Sequence, residues 1–137
     1  MKISTRGRYA LRVMIDLAQH MDQDYVPMKE VAQRQEISLK YLERIMPSLT
    51  KNNFVQGVIG QKGGYKLVRL PKEYTVKEIL EVAEGSLALI ACLECDQNPC
   101  SRKDTCKTLP MWKGAQKVIE SYFDGITLQD LLDGTFD

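Results

Sequence analysis

Cys92, Cys95, Cys100 and Cys106 are the only cysteines of the chain, and they fall within fifteen residues at the spacing Cys-x2-Cys-x4-Cys-x5-Cys. Three of them sit in polar sequence rich in Asp, Asn, Pro, Ser and Lys, where a thiol has no apolar core to serve. Thiolates this close in a flexible loop can converge on one soft metal centre. Softness selects zinc, Cu(I) or an iron–sulfur cluster over magnesium or calcium. A redox-active thiol pair would use the same residues without a metal, and a free cysteine can be simply a small hydrophobe. Metal binding is the expectation carried forward, with Glu94 and Asp96 beside the cysteines read as solvated loop charges. No other grouping suggests catalysis: there is no Ser/His/Asp set, no phosphate-binding loop and one histidine, His20, read as a surface or interface residue. The chain is not expected to be an enzyme.

The elements that must position this loop are bounded by size and charge. A length of 137 residues suits one compact domain, or a domain with a dimerising extension. The opening residues hold no apolar run of signal-peptide type, and nowhere do 18 apolar residues follow one another. A cytoplasmic protein without a membrane span is expected, and in that compartment clustered cysteines favour metal or redox roles over disulfides. Net charge is only +1, yet residues 1 to 70 hold twelve Lys or Arg against six Asp or Glu, and residues 71 to 137 hold seven against twelve. A basic first half and an acidic second half point to a polyanion meeting the first.

Residues 5 to 21 repeat Tyr9, Leu11, Met14, Ile15, Leu17 and Ala18 at mostly helical spacing, with Arg6, Arg8 and Arg12 nearby. A short helix is predicted from about Met28 to Gln35, opened by Pro27. Glu36-Ile37-Ser38 breaks the pattern, and Ser38 is a good N-cap for a third helix. That helix carries Leu39, Leu42, Ile45, Met46 and Leu49 on one face and Lys40, Tyr41, Glu43, Arg44 and Ser48 on the other. Two helices joined by a tight turn, the second polar outward, describe a helix-turn-helix. Phe54 to Ile59 and Tyr65 to Arg69 then read as a hairpin whose glycine-rich tip carries Gln61, Lys62 and Gly63, as in the wing of a winged helix. Thr75 and Glu78 form a capping box for a fourth helix ending near Gly85. After the cysteine loop, Thr108-Leu109-Pro110 opens a helix with an apolar stripe of Trp112, Ala115, Val118, Ile119 and Tyr122, and Thr127 to Leu132 gives a short closing helix, with the tail beyond Gly134 frayed. The stripe could pack back in cis; a two-fold homodimer is favoured, since it suits palindromic sites on DNA. The fold class is therefore mainly α with a small β-hairpin wing: a winged helix-turn-helix over 1–84, a cysteine-rich loop over 85–108, and a long dimerisation helix with a short helix over 109–137.

These residues resemble a known family. Lys2-Ile3-Ser4-Thr5-Arg6-Gly7-Arg8-Tyr9-Ala10-Leu11 is similar to the opening of the IscR-type bacterial winged-helix transcription regulators. So are Ile37 to Glu43, Gly63-Gly64-Tyr65, the cysteine loop followed by Trp112, and Ile126-Thr127-Leu128, together covering residues 1 to about 133. The resemblance implies a homodimer that binds palindromic promoter DNA, as a repressor, under control of an iron–sulfur cluster, with [2Fe–2S] favoured over [4Fe–4S]. Cys95, Cys100 and Cys106 match the three cluster cysteines of the family, the first interval being four residues rather than the common five. The position that holds a ligand histidine in IscR is Leu109 here, and that of a partner-subunit aspartate in nitric oxide sensors is Arg8. Cys92 is the nearest candidate for a fourth thiolate.

On the DNA side, Glu43 matches an acid of the family's recognition helix, and a carboxylate can accept from cytosine N4 in the major groove. The plainer alternative is an intrahelical contact with Lys40. Ser38, Lys40, Tyr41 and Arg44 would fix register; Lys2, Arg6, Arg8 and Lys51 would add phosphate contacts. Lys62, with Gln61 and Gly63 beside it, is the minor-groove candidate, although Ile59 stands where relatives often carry arginine. Two alternatives keep the fold and change the loop. In one it is a thiol switch of a cysteine-metabolism regulator, or a docking surface for a cysteine-biosynthesis enzyme; in the other it holds a structural zinc.

Overall fold

The computed structural model describes residues 2–95 and 97–135. Met1, Asp96, Phe136 and Asp137 lie outside the described residues, and with them the reading of Asp96 as a loop charge and the last residues of the tail. Six α-helices and one hairpin succeed one another in the order α1 (Thr5–Gln19), α2 (Met28–Gln35), α3 (Leu39–Lys51), β1 (Val55–Val58), β2 (Gly64–Leu67), α4 (Val76–Glu84), α5 (Leu109–Asp124) and α6 (Leu128–Asp133). The expected winged helix-turn-helix is what the chain forms. Helix α2 ends where Glu36 adopts the left-handed conformation (φ 55°), and the Ile37 N–H closes back on the Ala32 carbonyl. Ser38 caps α3 as expected, its hydroxyl oxygen accepting from the Tyr41 N–H at 3.1 Å. Leu42, Ile45, Met46 and Leu49 are buried, but Leu39, grouped with them from its spacing, is 40% exposed, because it stands in the first turn where no neighbouring element covers it.

The main core gathers Ala10, Val13, Met14 and Leu17 of α1, Val31 of α2, the α3 stripe, Phe54, Val55, Leu67, Tyr74, Ile79 and Ala83, together with Leu128 of α6. The last of these brings the C-terminal helix back onto the core of the first half. Its N-terminus is fixed by a Thr127–Asp130 capping box, and the Leu128 N–H donates to the Tyr74 carbonyl at 3.0 Å. The Thr75–Glu78 capping box opens α4 as the sequence indicates.

The hairpin pairs Val55 with Leu67 and Val58 with Gly64 in antiparallel register. Its second strand is also bound on the other side, where Val26 and Tyr65 exchange backbone hydrogen bonds of 2.8 and 2.9 Å. Tyr74 locks the base: wholly buried, it donates to the Phe54 carbonyl at 2.7 Å and accepts from the Val68 and Arg69 N–H groups, both at 3.1 Å. Among the described residues no helix is long and apolar enough to cross a membrane.

Candidate nucleic-acid interface and cysteine loop

Helix α3 and the wing are held as neighbours, and the groups that project from them are what a polyanion would meet. Lys40, Glu43 and Arg44 are exposed on α3, and Lys51 is exposed at its end. Glu43 forms no ion pair with Lys40 or any other described cation, so its carboxylate is available to an outside donor. The Ser38 hydroxyl oxygen accepts the cap hydrogen bond, and its O–H stays able to donate to a phosphate. Tyr41 is half-buried, its ring edge-on to Tyr9 of α1 at 5.3 Å, so it serves packing between α1 and α3 as well as any outward role.

At the wing, Gln61 and Lys62 are exposed and Gly63 is half-buried, its N–H donating to the Gly60 carbonyl at 3.0 Å. Among the described residues, Ile59 is the most exposed large apolar side chain. Glu43 of α3 and Gln61, Gly63 and Gly64 of the wing line one shallow concavity of about 340 Å3, together with Lys29 and Tyr65. The wing can stand this close only because residue 64 is glycine: its φ is +154°, and an added Cβ would lie 2.3 Å from the Val26 carbonyl oxygen. Lys2, Arg6 and Arg8 are exposed at the start of α1, where the Arg8 guanidinium donates to the Thr5 hydroxyl at 3.1 Å.

Between α4 and α5 runs the cysteine loop. Cys92 lies in a short 3-10 turn, Ala91–Leu93, and all four thiols are free: Cys95 exposed, the other three half-buried. Cys100 and Cys106 are held locally. The Cys100 N–H donates to Asn98 Oδ1 at 3.0 Å, and its sulfur accepts from the Arg102 N–H at 3.4 Å. Cys106 Sγ lies 3.4 Å from the Thr108 hydroxyl. That hydroxyl, the Thr108 and Leu109 N–H groups at the start of α5, and the Arg102 charge hold the Cys106 thiol below its usual range, against a smaller opposing effect of burial.

Among the described residues no three Cys, His, Asp or Glu side chains converge on one point, so the thiols expected to act together are not assembled into a ligand set. Their chemistry nonetheless fits a thiophilic centre: soft donors, at least partly accessible, on a loop that only short turns restrain. Leu109 is buried and supplies no ligand. His20 is half-buried and turned back on its own helix, its Nδ1 2.8 Å from the Asp16 carbonyl oxygen and 3.6 Å from that residue's carboxylate. Cys92 and Cys100 line the same small hollow with Ala91, Asn98 and Pro99.

Of the expected α5 stripe, Val118 and Tyr122 are exposed, at 70% and 51%, with Met111 at 56%, while Trp112, Ala115 and Ile119 are half-buried. The residues that fasten α5 to the body are others: Leu109, Phe123 and above all Gln116. The buried Gln116 amide donates to the Leu87 carbonyl at 2.8 Å and accepts from the Leu89 N–H at 2.7 Å, stitching the start of the cysteine loop to α5.

Three further polar anchors escape a reading by periodicity. The Tyr74 hydroxyl is one and the Glu84 carboxylate another. The third is the wholly buried Asp16, gripped by Arg34 at 2.7 and 3.1 Å and by Gln35 at 2.9 Å, which ties α1 to α2. The one local signal was their type: a polar group on an otherwise apolar face.

A model of the Rrf2 family, described as an iron-dependent transcriptional regulator, matches residues 3–134. The protein Rrf2 of Nitratidesulfovibrio vulgaris is 36% identical over 133 residues, which cover 96% of this chain and 87% of that one. Among solved structures, CymR, the global cysteine regulator of B. subtilis, is similar with a TM-score of 0.78 at 32% identity, covering 99% of each chain. The IscR of T. potens is similar with a TM-score of 0.75 at 35% identity, covering 99% of this chain and 89% of that one.

Proposed function

This chain belongs to the Rrf2 family of transcriptional regulators, and from that membership we propose that it is a homodimeric DNA-binding repressor whose hold on a palindromic operator is set by an iron–sulfur cluster on the Cys92–Cys106 loop. The observation that carries the DNA-binding part is the shared concavity of α3 and the wing, where the unpaired Glu43 faces Gln61 and Gly63. In this reading α3 enters the major groove, Glu43 accepts from cytosine N4, and Lys40 and Arg44 contact phosphates or base edges. Lys2, Arg6, Arg8 and Lys51 add salt-dependent phosphate contacts, and Lys62 at the wing reaches the minor groove. Ser38, besides capping α3, can donate its O–H to a phosphate, and Tyr41 also packs α3 against α1.

Cys95, Cys100 and Cys106, with Cys92 as fourth thiolate, would hold the cluster. Such a group supplies iron whose oxidation state and ligands respond to oxygen, nitric oxide or iron supply. The chain's own part is to keep these thiols accessible and Cys106 inclined to ionise. A second copy would cover Met111, Val118 and Tyr122 on α5, setting the spacing of the two α3 helices on a palindrome. The Rrf2 description as iron-dependent and the similarity to IscR support the cluster.

A second reading keeps the DNA-binding dimer but makes the loop a thiol switch in cysteine metabolism. The hollow shared by Cys92 and Cys100 and the likeness to a global cysteine regulator favour it. A structural zinc site is a third occupant of the same thiols. The deciding experiment is the visible spectrum of anaerobically purified protein, with iron and acid-labile sulfide assayed on the same sample. A coloured sample with sulfide, and operator affinity that changes as oxygen is admitted, is the expected result. A colourless, sulfide-free sample even after anaerobic reconstitution sinks the cluster and leaves the thiol and zinc readings.

A further inference from the structure

We propose that Glu84 is a positioning residue that couples the cysteine loop to the start of α1, an inference that rests on the DNA-binding reading above and adds a route for its regulation. One carboxylate oxygen, Glu84 Oε1, accepts from the Ser4 N–H at 2.9 Å, the Ser4 hydroxyl at 2.6 Å and the Gly7 N–H at 3.0 Å. The first N–H groups of a helix have no partner within it and favour a negative charge. Ser4, the N-cap residue, makes no side-chain cap of its own. Its place is taken by a carboxylate from 80 residues further along the chain.

Gly7 is what admits it. A Cβ on residue 7 would lie 2.3 Å from Glu84 Oε1, so any larger residue there displaces the carboxylate. Glu84 is also the last residue of α4, and Gly85, at φ +84°, turns the chain directly into the cysteine loop. Leu87, just beyond, is buried with Val76, Leu80 and Ile126 in a small cluster against which Ile3 packs, and Gln116 fixes the same stretch to α5. The loop entrance, the end of α4, the start of α1 and the helix read as the dimer helix therefore meet at one junction.

From that junction α1 leads outward. It carries Arg6 and Arg8, and Tyr9 in its second turn meets Tyr41 of α3 edge-on. The structure holds the Glu84 carboxylate seated on the Ser4 and Gly7 amides; in this proposal the alternative is its release, which a rearranged cysteine loop would favour and which would free the start of α1. A discrete two-state contact of this kind is what an allosteric coupling requires.

The test uses the full chain with its four thiols free or alkylated with iodoacetamide, the added groups forcing the loop to rearrange. Amide hydrogen exchange is followed at residues 4–8, with the core of α3 as reference, and operator affinity is measured on the same samples. In the parent, alkylation is expected to speed exchange at the Gly7 amide and weaken operator binding, each about fivefold or more, while α3 stays protected. In Glu84→Ala and Gly7→Ala, exchange at residues 4–8 is fast in both thiol states, and alkylation changes operator affinity less than twofold, roughly. Glu84→Gln, which keeps an acceptor oxygen, restores part of the response. Two results overturn the coupling: a parent whose Gly7 amide ignores alkylation, or a Glu84→Ala protein that responds as the parent does. If the unmodified parent binds no DNA at all, the regulator reading fails instead, and the exchange data alone decide the coupling.

Discussion

A thiol beside a hydroxyl and two backbone amides gives up its proton more readily than an ordinary cysteine. Cys106 is in that position, and its ionisation is favoured by Thr108 before all else. The lowered value means that thiolate is already present at a pH where an ordinary cysteine is still protonated. Alkylation of Cys106 by iodoacetamide should therefore reach its plateau at lower pH than an ordinary cysteine does, and Thr108→Val should move that profile upward; peptide mass spectrometry after partial labelling reads both. A Cys106 that labels in step with Cys95 across the pH range would show the hydroxyl to be idle. At this scale the sequence was legible where partners are close along the chain. Ser38 with Tyr41, Thr75 with Glu78 and the run of four cysteines could all be read from spacing. It was illegible where they are distant. Tyr74 meets Phe54 across 20 residues, Gln116 meets Leu87 across 29 and Glu84 meets Ser4 across 80. No periodicity encodes such pairs; only the folded core brings them together.

The wing shows how an element inherits its place from a distant segment. Its hairpin of four-residue strands would be marginal alone. It is stabilised by the Val26–Tyr65 bridge on one edge and by Tyr74 at the base, where the Arg69 guanidinium also lies 4.3 Å over the tyrosine ring. Gly64→Ala puts a methyl group into the Val26 carbonyl at a backbone angle that L-residues rarely adopt. The expected cost is about 1–3 kcal/mol, from strain and from the lost bridge. Urea unfolding should show it as a lower midpoint with an unchanged slope. Operator affinity should fall further than the stability loss alone explains, because the concavity with Glu43 opens. An unaltered midpoint would mean that the edge is pliable and the glycine dispensable. The hairpin itself was plain from two β-rich runs around a glycine-rich link. What the runs could not reveal is that Val26, just ahead of the Pro27 read as the opener of α2, supplies its outer support.

Viewed whole, the described residues leave Met111, Val118 and Tyr122 of α5 exposed. The spacing of Met111, Ala115, Val118 and Tyr122 puts them on one side of α5, while Leu109, Gln116 and Phe123 hold the other side to the body. The sequence showed an apolar stripe but assigned Trp112 and Ile119 to it on equal terms. Both are half-buried, because their helical spacing places them between the exposed side and the side held to the body. Val118, the most exposed member, is the cleanest probe of the proposed dimer. In a two-fold interface each substitution counts twice, since the same patch is contributed by both copies. Burying one valine is worth roughly 2 kcal/mol, so the pair is worth about 4 kcal/mol. Placing a carboxylate there adds a desolvation cost. Val118→Asp should therefore weaken self-association by about a thousandfold or more. Sedimentation would register a monomer at micromolar concentration, with thermal stability lowered by no more than the loss of self-association itself accounts for, since residue 118 is largely exposed within its own chain. Affinity for a full palindrome should drop toward that for a half-site, while the salt dependence per bound protomer stays the same, because the phosphate contacts belong to each copy separately. A Val118→Asp protein that still sediments as a dimer would move the interface to another surface and leave the spacing of the two α3 helices to be set by something other than α5.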